Sequence, residues 1–238
     1  MSGLEADVRA ELEALAERHG ASGPALLRLD LLLEGIVDDP RAPTTVREPH
    51  EALAAHIADS LVALELPELR GAARVADIGS GAGLPGLALA AVLEDADFWL
   101  LESQASKCAF IAALGARAGI ANARVVGARA EAWPAGLGLH DLAVCRAVAA
   151  QPVVLEYAAP LLRDGGRLID WRGARAEEQE HHARLAAEEL GLALVEIRHV
   201  EPFAGARDRH LHVFEKVAPT PARFPRRAGL ARKRPLGG

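Results

Sequence analysis

A cluster of glycines behind one acidic residue is the clearest sign of chemistry in this sequence. The stretch RVADIGSGAGLPGLALAAV (74–92) contains Asp77, followed by Gly79, Gly81, Gly83 and Gly86. Glycine loses more conformational freedom on folding than any other residue, so such a cluster indicates a backbone that bends sharply or approaches a ligand closely. A strand before the loop and a helix after it would present backbone N–H groups to an anionic or polar ligand.

Three kinds of nucleotide-binding loop compete for this stretch. A phosphate-binding P-loop is excluded, because no Lys follows the glycines in the required GxxxxGK[ST] pattern. A dinucleotide GxGxxG pattern fits Gly81, Gly83 and Gly86, with Glu102 near the position of a ribose-binding acid, but this pattern alone is weak evidence. The order DIGSGAG (77–83) fits better, and it resembles the first motif of the class I S-adenosylmethionine-dependent methyltransferases.

That resemblance implies positions for the cofactor S-adenosyl-L-methionine. The glycine loop would pack against its amino-acid end, and Glu102 in WLLES would bind the two ribose hydroxyls through charge-assisted hydrogen bonds. Ala130 and Glu131 in GARAEAW would contact the adenine. The alternatives are an exposed acid at a strand end for Glu102 and an ordinary helix start for Ala130 and Glu131.

The elements around the loop predict an α/β fold. Apolar residues recur at helical spacing in an N-terminal helical region, residues 1–67, over 4–19, 25–37 and 51–66. A methyltransferase domain over 72–217 then alternates short apolar strands with helices. The predicted strands are 74–79, 96–103, 123–128, 140–148 and 165–173, and the predicted helices are 85–93, 104–118, 152–163 and 176–190.

Strands that alternate with helices indicate a Rossmann-like, mostly parallel sheet covered on both faces. The last two apolar stretches, LALVEIRHVEPF and DRHLHVFEKV, have no helix between them. They predict a final hairpin, which gives the sheet an antiparallel edge.

Composition indicates the cellular compartment in which the protein is expected to work. The chain has 238 residues, half of them hydrophobic, and only two cysteines, so a disulfide framework is excluded and a reduced, cytoplasmic setting is expected. No charge-free apolar run is long enough for a membrane span. The acidic, amphipathic N-terminus is unlike a signal peptide. No cysteine or histidine spacing predicts a metal site.

Charge is distributed unevenly along the chain. The net charge is −6, yet the end of the chain from Lys216 onward carries seven Lys and Arg residues and no acid. An acidic body with a basic tail, residues 218–238, often marks a contact with a polyanion such as RNA. The alternative is a solvated, disordered end, and composition alone leaves both open.

Several motifs, taken in order, narrow the resemblance to one family. DIGSGAGLPGLALA, LLESQASKCAFI, VCRAVA, WRG, RHLHVF and RFPRRAGLARKRPL follow one another, and VREPHEALAAHIADSL precedes them. Together they resemble the RsmG (GidB) family, bacterial methyltransferases that act on N7 of a guanine in small-subunit (16S) ribosomal RNA. The resemblance covers roughly residues 40 to 235.

The resemblance implies that Gly79, Leu84, Ala130, Glu131 and Arg146 contact the cofactor. Three departures from the family pattern are visible. Glu102-Ser103 replaces the usual Asp-Ser, and Arg172-Gly173 replaces Lys-Gly. The sequence RAPTT (41–45) stands where an aromatic-Asn-Leu-Thr stretch is expected, in a segment that borders the family's active site.

Guanine N7 carries a lone pair and no hydrogen, so its methylation needs no general base. The rate must come from holding two reactants in line, and Arg146 at the end of the fourth strand is the predicted catalytic residue, because arginine pairs readily with guanine O6 and phosphate. The alternative is a purely structural ion pair of Arg146 with Asp141 or Glu131. Arg172, Arg209 and His210 also fall at strand ends, where they would line a substrate-binding rim.

Two other functions remain open on the sequence alone. One is a related methyltransferase with a small-molecule substrate. The other is a non-catalytic RNA-binding or ribosome-assembly protein. A nicotinamide-dependent dehydrogenase is a distant further alternative, and a monomer is the expected state.

Overall fold

The computed structural model describes residues 4–238 and is built around a seven-stranded sheet. The strands are β1 Arg74–Ile78, β2 Asp97–Leu101, β3 Ala123–Val126, β4 His140–Arg146, β5 Leu162–Arg172, β6 Leu192–His199 and β7 His210–Lys216. Their spatial order is β3-β2-β1-β4-β5-β7-β6, and β7 alone runs opposite to the other six strands. The predicted Rossmann-like sheet with an edge hairpin is therefore confirmed.

Helices cover both faces of this sheet. They are α1 Ala6–Arg18, α2 Pro24–Asp38, α3 Pro49–Ala52, α4 Asp59–Leu61, α5 Pro67–Arg70, α6 Gly86–Val92, α7 Ala105–Arg117, α8 Gln151–Ala158, α9 Glu177–Leu190 and α10 Leu230–Lys233. The N-terminal helices share one apolar core with α6, α7 and one face of the sheet. Helices α8 and α9 build a second core on the other face. None of the described helices combines the length and apolarity needed to cross a membrane.

The third N-terminal helix is not continuous, although its sequence predicts one helix over 51–66. The chain passes from α3 through a π-helical turn, Leu53–Ala58, into α4 and then a 3₁₀ turn, Val62–Glu65. The hydroxyl of Ser60 donates to the carbonyl of His56, and the Trp171 indole donates to the carbonyl of Asp59. Such side-chain bonds compete with regular helical bonds and accompany local changes of pitch.

One predicted boundary is wrong by several residues. The helix expected over 152–163 ends at Ala158, and β5 begins at Leu162 and not at 165. Pro160 cannot continue a helix, because its ring blocks the helical hydrogen bond. The freed residues join the sheet, where Leu162 pairs with His140.

The basic tail packs against the body of the protein. It is mostly irregular, as its Pro and Arg content suggests, and contains the short helix α10. Phe224 and Ala231 are nevertheless buried in the core under α8 and α9. Arg226 forms a two-pronged ion pair with the buried Glu156 of α8. The tail is therefore not the solvated arm that composition alone allowed.

Candidate active site

A cavity of about 410 Å³ opens at the carboxyl ends of β1, β2 and β4. This is the edge of an open α/β sheet where ligands usually bind. Seven residues that the sequence singled out line it: Gly79, Gly81, Leu84, Glu102, Ala130, Glu131 and Arg146. The structure therefore brings residues from four separate stretches of sequence to one site.

The glycine loop forms a wall of bare backbone. Gly79 has a φ of +72°, and a Cβ atom on it would lie 2.5 Å from Cγ2 of Val148. A Cβ on Gly86 would lie 2.6 Å from Oδ2 of Asp77. Glycine at these two positions lets the loop turn beneath Val148 and lets α6 approach β1 closely.

Asp77 organises this loop from below. Its Oδ2 accepts a hydrogen bond of 3.1 Å from the backbone N–H of Gly86, and its side chain does not line the cavity. Burial raises the pKa of Asp77 to about 6, in spite of the opposing effect of its hydrogen bonds. Asp77 thus connects β1 to α6.

Glu102 connects the loop after β2 to the glycine loop. One carboxylate oxygen accepts from the N–H of Gly81 at 3.2 Å and the other from the N–H of Gln104 at 2.8 Å. Glu102 is buried at the cavity wall, so its interpretation as an exposed strand-end acid is wrong. Each oxygen keeps a further lone pair with which it could accept a hydrogen bond from a diol.

The opposite wall is a 3₁₀ turn, Ala130–Ala132, after β3. The Oε1 atom of Glu131 accepts a hydrogen bond of 2.9 Å from the backbone N–H of Gly229 in the tail. Tyr157 of α8 and Arg232 of the tail line the cavity beside it. This wall is therefore assembled from three distant parts of the chain.

Arg146, the last residue of β4, is held by the N-terminal helical region. Its Nη1 donates to Oδ2 of Asp59 at 2.7 Å and to the carbonyl of Ala55 at 3.3 Å. Its Nε and Nη2 have no hydrogen-bond partner among residues 4–238. Both side chains of the pair are largely buried, so the guanidinium is fixed in orientation with two donor groups left over.

The alternative ion pair of Arg146 with Asp141 or Glu131 is wrong, because its carboxylate partner is Asp59. Asp141 lies at the start of β4, where it pairs with Arg163 and accepts from the backbone N–H of Arg74. It is the second residue of the seven-residue strand that ends at Arg146, so the two side chains lie near opposite ends of β4. Glu131 is engaged by the tail instead.

The segment RAPTT borders the cavity, as the family resemblance implies. Pro43 and Thr44 line it together with His56. The Nε2 atom of His56 lies 3.1 Å from both Oγ1 of Thr44 and the carbonyl oxygen of Val46. Burial lowers the pKa of His56, which favours a neutral imidazole.

Four predicted site residues lie outside this cavity: Gly83, Arg172, Arg209 and His210. Gly83 faces α6, where a Cβ atom would meet Leu87 at 2.6 Å. Arg172 pairs with the buried Asp170 at 2.6 Å and lines a neighbouring cavity of about 800 Å³.

Arg172 and His210 are nevertheless direct partners in the register of β5 and β7. Arg209 lies 3.9 Å from Oδ1 of Asp59, the partner of Arg146. All three residues therefore flank the carboxyl end of β5, next to the last residue of β4.

Among the cavity residues that sequence reasoning missed are Val148, Tyr157 and Arg232. Val148 and Tyr157 resemble ordinary apolar positions of a loop and a helix. Arg232 is one of several arginines in a basic tail, and nothing in its local sequence distinguishes it. Contacts between distant parts of the chain bring all three to the cavity, and the local sequence does not show such contacts.

The donor set suits an adenosine-containing cofactor that carries an amino acid. At Gly81, which lines the cavity, a Cβ would have only one atom within 4 Å, so the bare loop leaves space there. Glu102 offers two oxygens to a ribose. Among the described residues, no group of three or more His, Cys, Asp or Glu side chains is placed to hold a metal ion. The two cysteines are free, and burial raises the pKa of both thiols, so neither is an activated nucleophile.

Comparison with known proteins agrees with this geometry. The family model described as rRNA small subunit methyltransferase G matches residues 41–211. A protein named ribosomal RNA small subunit methyltransferase G from Syntrophomonas wolfei is 42% identical over 186 residues, covering 77% of this chain and 86% of its own. The protein of the same name from Symbiobacterium thermophilum is 36% identical over 242 residues, covering 98% and 97%.

Solved structures agree on the fold. A SAM dependent methyltransferase from Aquifex aeolicus superposes with a TM-score of 0.53 at 14% identity, covering 83% of this chain and 100% of its own. At this level of identity the likeness concerns the fold alone.

Proposed function

The chain belongs to the rRNA small subunit methyltransferase G family of S-adenosylmethionine-dependent enzymes, and from this premise we propose that it methylates N7 of a guanine in 16S ribosomal RNA. The observation that carries the proposal is the cavity lined by the bare glycine loop and by the Glu102 carboxylate, which accepts a hydrogen bond from the loop at Gly81. Both features are what a sulfonium donor with a ribose requires, and both lie where the family match is continuous.

The cofactor would be held by residues from three loops. Gly79, Gly81 and Leu84 would pack against its amino-acid portion, and Glu102 would accept hydrogen bonds from its ribose hydroxyls. Ala130 and Glu131 would border the adenine. When bound, S-adenosylmethionine supplies a methyl group on a positively charged sulfur.

The acceptor determines what else the protein must do. Guanine N7 has no proton to lose, so the site needs no general base, and the neutral His56 at its border is not required to act as one. What the site must supply is alignment of the two reactants, which contributes several kcal/mol up to about 10 kcal/mol in favourable cases.

Arg146 is the group that we assign to this alignment. Asp59 fixes its Nη1, while Nε and Nη2 remain available to hydrogen bond with guanine O6 or a flanking phosphate. Because the Asp59–Arg146 pair is mostly shielded from water, the guanidinium is preorganised before RNA binds.

The rim beside Arg146 is the proposed RNA-facing surface. Arg172, Arg209 and His210 lie along the carboxyl end of β5 and the start of β7. Arg172 and Arg209 carry positive charge beside the proposed position of the guanine, where they would neutralise phosphates of the RNA.

The same proposal predicts the cellular compartment of the protein and its oligomeric state. A protein that modifies 16S ribosomal RNA would work in the cytoplasm, where reduced thiols such as Cys108 and Cys145 persist. We expect a monomer. Light scattering on the purified protein would test this state.

A methyl-transfer assay with four acceptors tests the function. The purified protein receives S-adenosylmethionine with a labelled methyl group and one of four acceptors: small ribosomal subunits, naked 16S RNA, large-subunit RNA or a mixture of small metabolites. We expect label only in the first two, recovered as N7-methylguanosine by mass spectrometry. Label at another atom, or only in the metabolite pool, would contradict the proposal.

A further inference from the structure

The basic tail contributes a turn to the wall of the candidate active site. Residues 229–232 enter the region between the 3₁₀ turn after β3 and the loop after β4. Arg232, on α10, lines the same cavity as Glu102 and Arg146, although it lies 86 positions beyond Arg146 in the chain. This contact is more specific than the general electrostatic role that composition suggests for the tail.

The first hydrogen bond of this turn is to Glu131, on the proposed adenine side of the cavity. The backbone N–H of Gly229 donates to Oε1 of Glu131 at 2.9 Å. Gly229 has a φ of +81°, and no atom lies within 4 Å of the position that a Cβ would take. The bond therefore depends on the backbone of the turn and fixes the side chain of a wall residue.

The second hydrogen bond of this turn goes to Val148, which lies over the glycine loop. Nη2 of Arg232 donates to the carbonyl oxygen of Val148 at 3.0 Å. The side chain of Val148 lies directly over Gly79, which has no room for a Cβ beneath it. The residue before it, Ala147, has a φ of +57°, a conformation that is costly for a residue with a side chain and persists only when its surroundings enforce it. Arg232 bonds the carbonyl of the residue that directly follows this position.

The rest of the tail holds the turn in place without touching the cavity. Phe224 is buried in the core, and Arg226 is paired with the buried Glu156. Lys233, next to Arg232 on the same helix, is exposed and has no ion-pair or hydrogen-bond partner among the described residues. Both cations of this helix are exposed, but only Arg232 lines the cavity.

We propose that Arg232 is a positioning residue of the cofactor pocket, which acts by holding Val148 against the glycine loop. The inference rests on the proposed function, because it takes S-adenosylmethionine as the ligand. It also gives the tail two separable tasks. Exposed cations such as Lys233 contribute charge for RNA, and the turn ending in Arg232 shapes the site where the methyl donor binds.

A matched pair of variants separates these tasks. Arg232→Ala and Lys233→Ala each remove one positive charge from α10, so both should weaken RNA binding to a similar extent. Calorimetric titration with S-adenosylmethionine, without RNA, then measures the pocket alone. We expect the dissociation constant to rise about three- to tenfold in Arg232→Ala, the range for one lost hydrogen bond, and to stay within about twofold in Lys233→Ala.

Two further readouts distinguish positioning from damage to the fold. The melting temperature of Arg232→Ala should match that of Lys233→Ala, and Arg232→Lys should recover part of the affinity, because lysine also donates to a carbonyl. In steady-state assays, the KM for the cofactor should rise more than kcat falls.

Equal cofactor affinity in Arg232→Ala and Lys233→Ala would overturn the inference and leave the proposed function intact. A wild-type protein that fails to bind S-adenosylmethionine would instead overturn the proposed function, and this inference with it.

Discussion

Removing Arg226 should destabilise the whole fold, even though this arginine lies in a tail that composition describes as polar. Its Nε donates to Oε1 of Glu156 at 2.8 Å, and its Nη2 bonds the other oxygen of the same carboxylate. The side chain of Glu156 is 2% exposed and that of Arg226 19%. The substitution Arg226→Met would leave a carboxylate buried in α8 without its counter-charge.

The expected cost follows from that burial. Breaking a buried pair by removal of one partner costs about 3–5 kcal/mol, because the remaining charge stays desolvated. In a domain of this size each kcal/mol corresponds to a change of about 2–4 °C in melting temperature, so Arg226→Met should melt about 6–20 °C below wild type. Differential scanning calorimetry and urea unfolding would both measure this difference.

Two control variants make the reasoning testable. Arg223, three positions before Arg226 in the tail, pairs with Glu189 of α9. The side chains of this pair are 60% and 38% exposed. Arg223→Ala should therefore cost less than about 1 kcal/mol. The double variant Arg226→Met with Glu156→Leu removes both charges and should recover most of the loss. If Arg226→Met were no less stable than Arg223→Ala, the tail would not be anchored as described.

Three further predictions concern the site. Arg146→Ala should lower kcat/KM for methyl transfer by about a hundredfold or more with an unchanged circular dichroism spectrum, and near-normal turnover would remove Arg146 from the mechanism. Gly79→Ala should abolish detectable cofactor binding in calorimetry, because its methyl group would meet Val148 at 2.5 Å, whereas Gly127→Ala, with no atom nearer than 4.0 Å, should bind normally. Asp77 has a pKa raised from 3.8 to about 6, so the stability that its protonated form contributes is complete below pH 3.8 and is lost as the pH rises through 6. The variant Asp77→Asn does not titrate at this position. Its free energy of unfolding, measured by urea titration relative to wild type, should therefore rise by up to about 3 kcal/mol between pH 4 and pH 7. A difference that stays constant with pH would refute the assignment.

The sequence was most informative where the chemistry is local. The glycine loop, the strand before it and the helix after it are adjacent in the chain, and their pattern predicted both the turn and its place at the sheet edge. Glu102 follows β2 directly, so its position at the same edge could be deduced from the alternation of strands and helices alone.

Long-range partners were not predictable from the sequence in the same way. Asp59, the partner of Arg146, lies 87 positions earlier in the chain. Nothing in its own helix marks it as a strand-end partner. Asp141 and Glu131 are near Arg146 in sequence, but nearness in sequence carries little information about contacts at the end of a seven-residue strand.

The tail illustrates a second limit. Its many Arg and Pro residues predict solvation, and most of its length is irregular. Two apolar side chains, Phe224 and Ala231, are nevertheless buried in the core, and Arg226 adds a buried ion pair. The binding partner of a basic residue decides its role, and only the fold identifies that partner.

The most direct test of the central claim is a crystal structure of the protein grown with S-adenosylhomocysteine, the product of methyl transfer. The account predicts its ribose hydroxyls on the Glu102 carboxylate, its adenine beside Ala130 and Glu131, and its amino-acid end along Gly79 and Gly81. A ligand bound elsewhere, or a cavity that admits a nicotinamide dinucleotide and excludes S-adenosylhomocysteine, would contradict the account.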